Sequence, residues 1–162
     1  MGQNGQHFNS PSFGLLTLDE VRGKILEFMD ADPQARYRLV IGTDSQTKNG
    51  GDIDFVTAYV IHRAGSGGIY FWKRTVEHKP LVLRQRIYTE ASISLVAATE
   101  FLASFKKNGI SDYEVEIHVD VGTVGETRAV LAEVVGMVRG SGFAVKTKPE
   151  AYGASKVADR HT

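Results

Sequence analysis

The chain contains no cysteine. That excludes a disulfide framework and any thiolate metal site, and it suits a reducing compartment. Neither sign of charge is in excess: 19 Lys and Arg balance 19 Asp and Glu, for a formal net charge of zero. A domain held to nucleic acid by bulk electrostatics should be basic, so any such binding must rest on a local patch or on bound cations. No apolar run approaches the roughly 20 residues of a membrane span, so no membrane partner is expected. The segment Met1–Gly14 has neither a basic start nor an apolar signal core and is rich in Gly, Asn and Ser. It predicts a flexible N-terminal arm, and the chain as a whole predicts a cytoplasmic protein. A Walker A motif, a nucleophile elbow and a His-rich zinc pattern are all missing.

What is present is a chain of 162 residues, 42% hydrophobic. This favours one domain of ordinary size, over 15–162, able to bury roughly two-thirds of its unfolded surface. Thr17 and Glu20 have the spacing of a capping box, with Leu16 and Val21 placed as a hydrophobic staple. They predict a helix from Leu18 to about Met29, ending before Asp32-Pro33. The apolar run Leu39-Val40-Ile41 predicts a strand from Arg38 to about Ser45. Two more strands follow, Phe55 to His62 and Ile69 to Val76. The turns between the three, over Lys48–Asp52 and Ala64–Gly68, are short and glycine-rich, which makes an antiparallel meander.

The period then changes. Ile87, Ala91, Leu95, Ala98, Leu102 and Phe105 mark one face of a long helix that Asn108-Gly109 stops. Tyr113–Val121 reads as a strand, and Thr123 with Glu126 as a second capping box. Val130, Leu131, Val134, Val135 and Val138 give the buried face of the next helix, Phe143–Thr147 a fifth strand, and Pro149 opens a final helix to about Arg160. The expected fold is α/β: an extra N-terminal helix, then β-β-β-α-β-α-β-α as a mixed five-stranded sheet with helices on both faces.

Four acids stand at informative points. Asp44 ends the first strand and Asp120 the fourth. Glu90 lies early in the long helix, and Asp159 in the last turn of the final one, where an acid opposes the helix dipole. Each has a structural alternative. Asp44 could cap its turn and Asp120 the following helix. Glu90 could be a solvated helix residue, and Asp159 could pair with Lys156 or Arg160.

The order of elements and acids resembles the ribonuclease H-like superfamily. The strings Gly42-Thr43-Asp44-Ser45-Gln46, His118-Val119-Asp120-Val121-Gly122, Lys148-Pro149-Glu150-Ala151-Tyr152 and Val157-Ala158-Asp159-Arg160 are more narrowly similar to the bacterial YkuK-like family, whose function is unsettled. The resemblance spans Leu18 to the C-terminus. It implies that Asp44, Glu90, Asp120 and Asp159 are both catalytic residues and metal ligands, gathering two divalent cations. Hard oxygen donors suit Mg²⁺ or Mn²⁺, and two such ions can drive phosphodiester cleavage. The implied activity is a nuclease or phosphodiester hydrolase acting on RNA, an RNA–DNA hybrid or structured DNA. Two alternatives stay open: a non-catalytic module that binds nucleic acid or protein, and a small-molecule phosphohydrolase.

Lesser candidates surround this set. His118 shares strand parity with Asp120 and could assist proton transfer or serve the core. His161 could be a mobile acid–base group or a frayed terminal residue. Tyr152 and Ser155 share a helical face with Asp159. Lys146, Lys148, Lys156 and Arg160 could meet phosphates or be plain solvated charge. Asp120-Val121-Gly122 before a helix also resembles the phosphate motif of actin-like ATPases, but those enclose a nucleotide between two such domains. Outward aromatics among Tyr70, Phe71 and Trp72 could stack on bases if their strand is an edge.

Overall fold

A computed structural model of the chain describes residues 7–65, 67–106, 114–120, 127–147 and 161. The meander forms as expected. β3 (Tyr37–Thr47) pairs antiparallel with β4 (Ile53–Arg63), and β4 pairs antiparallel with β5 (Gly68–Glu77). Gly50 and Gly51, at φ +90° and +92°, let the chain reverse between β3 and β4. β6 (Glu114–Val119) lies parallel to β3 on its other side, and β7 (Ala144–Thr147) lies parallel to β6.

Among the described residues seven strands form the sheet, rather than the expected five. Phe8–Ser10 (β1) and Gly14–Leu16 (β2) make a small hairpin on the β5 side, giving the order β2-β1-β5-β4-β3-β6-β7. Residues 8–14, read from the sequence as part of a flexible arm, are therefore built into the fold. The cause is Phe8, which is 3% exposed and packs edge-on against Tyr59 at 5.1 Å between ring centroids. One aromatic among polar neighbours is too sparse a signal for periodicity to register.

Among the described residues three helices cover one face of the sheet. α1 (Leu18–Asp30) starts at the expected capping box: Thr17 Oγ1 accepts from the Glu20 amide at 3.2 Å, and Glu20 Oε1 accepts from the Thr17 amide at 3.1 Å. α2 (Leu83–Lys106) begins a turn earlier than its apolar face suggests, because the Gln85 side chain accepts from the Val82 amide at 3.0 Å and closes its first turn. α3 (Arg128–Gly140) starts after Thr127, whose side chain makes no capping bond. The capping box expected at Thr123 and Glu126 lies outside the described residues, as does the final helix apart from its helical residue His161.

The main core joins Leu39, Ile41, Tyr59, Ile61, Ile117 and Val119 of the sheet to Val21, Ile25, Phe101, Phe105, Val134 and Val138 of the helices. The opposite sheet face carries a smaller cluster, Val40, Val56 and Ala58, with Trp72 packed against it. His161 stacks on Trp72 at 4.5 Å between centroids and so lies on this second face. No helix among the described residues is long and apolar enough to cross a membrane.

Ile41 sits on β3, an interior strand, fully buried. Ile41→Ala should cost about 2–5 kcal/mol, since deletion leaves a cavity between sheet and helices. The exposed Gln46→Ala on the same strand should stay within about 0.5 kcal/mol of wild type. Urea unfolding of both variants measures the difference.

Candidate active site

The site begins with how α2 is seated on β3. Arg86, Glu90 and Ser94 follow one another at four-residue intervals and so share a helix face. Each meets a hydroxyl of β3. Ser94 Oγ lies 2.8 Å from Thr43 Oγ1, which is 3.0 Å from Thr57 Oγ1 on β4. Ser45 Oγ donates to Glu90 Oε1 at 2.5 Å. Arg86 donates to Ser45 through Nε and Nη2 to Oγ, each at 3.1 Å, and through Nη2 to the carbonyl oxygen at 2.9 Å. These polar groups lie at or near the core, where an unmade hydrogen bond is expensive.

The parallel pairing places the two aspartates. Gly42 of β3 pairs with His118 of β6. Two residues further along are Asp44, still within β3, and Asp120, the first residue past the end of β6, so continuing the register brings them to the same level. Glu90 comes from the helix after the meander, and all three acids line one cavity of about 200 Å³ with Ser45, Leu83, Arg86, Ile87 and Thr127. The cavity opens at the carboxyl ends of β3 and β6, where open α/β sheets commonly bind ligands.

The acids reach that cavity from two sides. Thr43 and Ser45 face α2, so strand alternation turns Asp44 to the other face. Asp120 shares that parity through the register, whereas Glu90 remains on the α2 side, bound to Ser45. Accordingly, no three acidic or imidazole side chains among the described residues stand together as a metal-holding group. The donor set is nevertheless all oxygen, the kind that Mg²⁺ or Mn²⁺ accepts. Asp159, with Tyr152, Ser155, Lys148, Lys156 and Arg160, lies outside the described residues, as does the turn from Gly122 to Glu126.

Several neighbours have structural work. His118 is 7% exposed, and its Nε2 lies 3.1 Å from Glu116 Oε1. Glu116 in turn pairs with Arg38 at 3.2 Å. Burial lowers the His118 pKa against the opposing pull of Glu116, and the ring is held as part of this face rather than presented to solvent. Phe71 is core, while Trp72 and Tyr70 hold His161, with Tyr70 Oη 3.2 Å from its Nε2. Lys146 is seen only as a charge near His118. A larger cavity, about 470 Å³, lies between α2 and the β4–β5 side of the sheet, lined by Phe55, Tyr59, Val76 and Val96 among others. It is mostly apolar, and none of Asp44, Glu90 and Asp120 lines it.

Sequence reasoning missed Ser45 and Arg86. The signal for Arg86 was available, since Arg86 and Glu90 are one helical turn apart. It was overlooked because the apolar face of α2 defines the helix by itself.

Burial in this cavity pushes the Glu90 carboxyl up to about 8 from its ordinary 4.5, with the charges of Asp44 and Asp120 adding to the rise. The Ser45 hydrogen bond and the Arg86 charge act the other way. Desolvation thus outweighs the crowding of like charges. Between the two pKa values the folded state binds a proton that the unfolded chain has lost, so this group subtracts stability as pH rises through that window. Glu90→Gln keeps an acceptor for Ser45 and cannot ionise. Its melting temperature should match wild type near about pH 4 and exceed it increasingly up to about pH 9. A constant offset across that range would show that Glu90 titrates normally.

The comparisons with known proteins agree with this architecture. The family model described as Ribonuclease H-like matches residues 20–162. The uncharacterised protein YkuK of Bacillus subtilis (strain 168) is 31% identical over 167 residues, covering 96% of this chain and 96% of that protein. No solved structure matches significantly. With its meander, its parallel β3–β6 pair and its helices in the order this fold requires, the chain belongs to the ribonuclease H-like family.

Proposed function

We propose that the chain is a divalent-metal-dependent nuclease or related phosphodiester hydrolase acting on RNA, an RNA–DNA hybrid or structured DNA. The observation that carries this reading is the shared cavity. Three carboxylates from three separate elements, Asp44, Glu90 and Asp120, line it at the carboxyl ends of two parallel strands. Asp44 and Asp120 would hold a cation of the Mg²⁺ or Mn²⁺ type. Glu90 would join them on release from Ser45, and Asp159 is proposed as the fourth acid. When bound, such ions activate water and stabilise a leaving oxygen. Their charge also supplies what a chain of zero net charge lacks for attracting a phosphate backbone. A cysteine-free chain suits the reducing cytoplasm, which is the compartment we propose.

The second reading, a binding module without turnover, draws on a specific observation. Glu90 is tied to Ser45 and holds its proton near neutral pH, which keeps it out of any ligand set.

Two measurements separate these readings. Millimolar Mg²⁺ or Mn²⁺ should raise the melting temperature, because the ion binds the folded state alone. The rise should grow with pH up to and beyond about 8, as Glu90 must lose its proton to become a ligand. Labelled single-stranded, duplex and hybrid oligonucleotides should be cleaved by wild type, while Asp44→Asn should fall to the level of a protein-free control with its fold intact. Asp159→Asn should be milder. Equal cleavage by wild type and Asp44→Asn would assign the activity to a contaminant. Affinity without cleavage under any divalent ion would establish the binding module.

A further inference from the structure

Among the described residues Arg86 is the cation that lines this cavity, and the way it is held is informative. Its guanidinium has five N–H groups. Nε and Nη2 are committed to Ser45, through the side-chain oxygen and the backbone carbonyl. Nη1 takes no acceptor among the described residues, and Arg86 forms no ion pair with the carboxylates that share its cavity. A guanidinium whose purpose was to neutralise those acids would form forked bonds with one of them. This one is instead bolted by one edge to an interior strand, partly exposed, with its other edge unused among the described residues.

We infer that Arg86 is an anion-binding residue that receives a non-bridging phosphate oxygen on Nη1 when a phosphodiester enters the cavity. The inference rests on the phosphodiester reading above and names the group that would recognise the phosphate. Ser45 fixes the guanidinium plane before the ligand arrives, so little side-chain entropy remains to be lost on binding. The position near the start of α2, with Leu83 of its first turn also in the lining, places the positive end of the helix dipole on the same side. An arginine suits this task better than a lysine, because a planar fork can bond a strand with one edge and an anion with the other.

A structural role for Arg86, pinning α2 to β3, predicts different behaviour from phosphate contact, and salt dependence separates them. Binding of a labelled oligonucleotide is measured with Ca²⁺ in place of Mg²⁺, across a series of salt concentrations. Losing one phosphate contact should weaken binding roughly tenfold and lower the slope of log affinity against log salt by about one. Arg86→Gln should show both changes. Arg86→Lys, which keeps the charge and loses the fork, should keep the slope and lose only part of the affinity. An unchanged slope in Arg86→Gln, alongside binding by wild type, overturns the inference and leaves the phosphodiester reading standing. Inorganic phosphate is the second probe. A wild-type rise in melting temperature with phosphate, abolished in Arg86→Gln and retained in part by Arg86→Lys, supports the anion site even if no oligonucleotide binds, in which case only the nuclease reading falls. Absence of both oligonucleotide binding and a phosphate shift in wild type overturns both.

Discussion

Everything at the candidate site depends on the polar seam between α2 and β3. Ser94 on Thr43, and Glu90 with Arg86 on Ser45, fix how far along the sheet the helix sits. A slide by one helical turn would leave buried hydroxyls and a carboxyl without partners, and each such loss costs on the order of 1–3 kcal/mol. Apolar packing on either side of the seam is less discriminating, since Ala, Leu and Phe contacts tolerate small displacements. The seam therefore supplies the register that the hydrophobic face supplies only loosely, and it carries Glu90 and Arg86 to the cavity as a consequence.

The same seam sets the chemistry of Glu90. Burial between helix and sheet disfavours its charge, while Ser45 and Arg86 favour it, and burial prevails. A protonated carboxyl beside Asp44 and Asp120 lowers the repulsion that three ionised acids would create in one small cavity. The arrangement is self-consistent: one acid neutral and hydrogen-bonded to a serine, two approaching from the other side of the sheet. Were a cation to sit among the three, Glu90 would have to give up its proton, so metal binding would be coupled to protonation through the side chain that helps seat α2.

The opposite sheet face follows a different logic. Its apolar patch is small, and polar pairs fill the remainder: Arg38 with Glu116, Glu116 with His118, and Arg74 with Asp54. His161 is held there, stacked on Trp72 while Arg74 donates to its carbonyl oxygen at 2.6 Å. The histidine that sequence reasoning offered as a terminal acid–base group is thus held to β5 by stacking and hydrogen bonds.

The sequence by itself determined the meander, the two capping residues of α1, the long helix and the order of elements, because these rest on local signals. Alternating apolar residues, glycine-rich turns and a Thr-x-x-Glu box act within a few residues of one another. It also indicated Asp44, Glu90 and Asp120, since acids at strand ends and in a buried helix break the local pattern. Only the tertiary structure decided that β1 and β2 extend the sheet, for the burial of Phe8 depends on Tyr59, about fifty residues away. It likewise decided that Asp44 faces away from α2 while Ser45 meets it, and that Arg86 shares the cavity without pairing with its acids. Those facts depend on the depth to which a helix sinks onto a strand, a balance of buried hydrogen bonds between distant segments that no local pattern encodes.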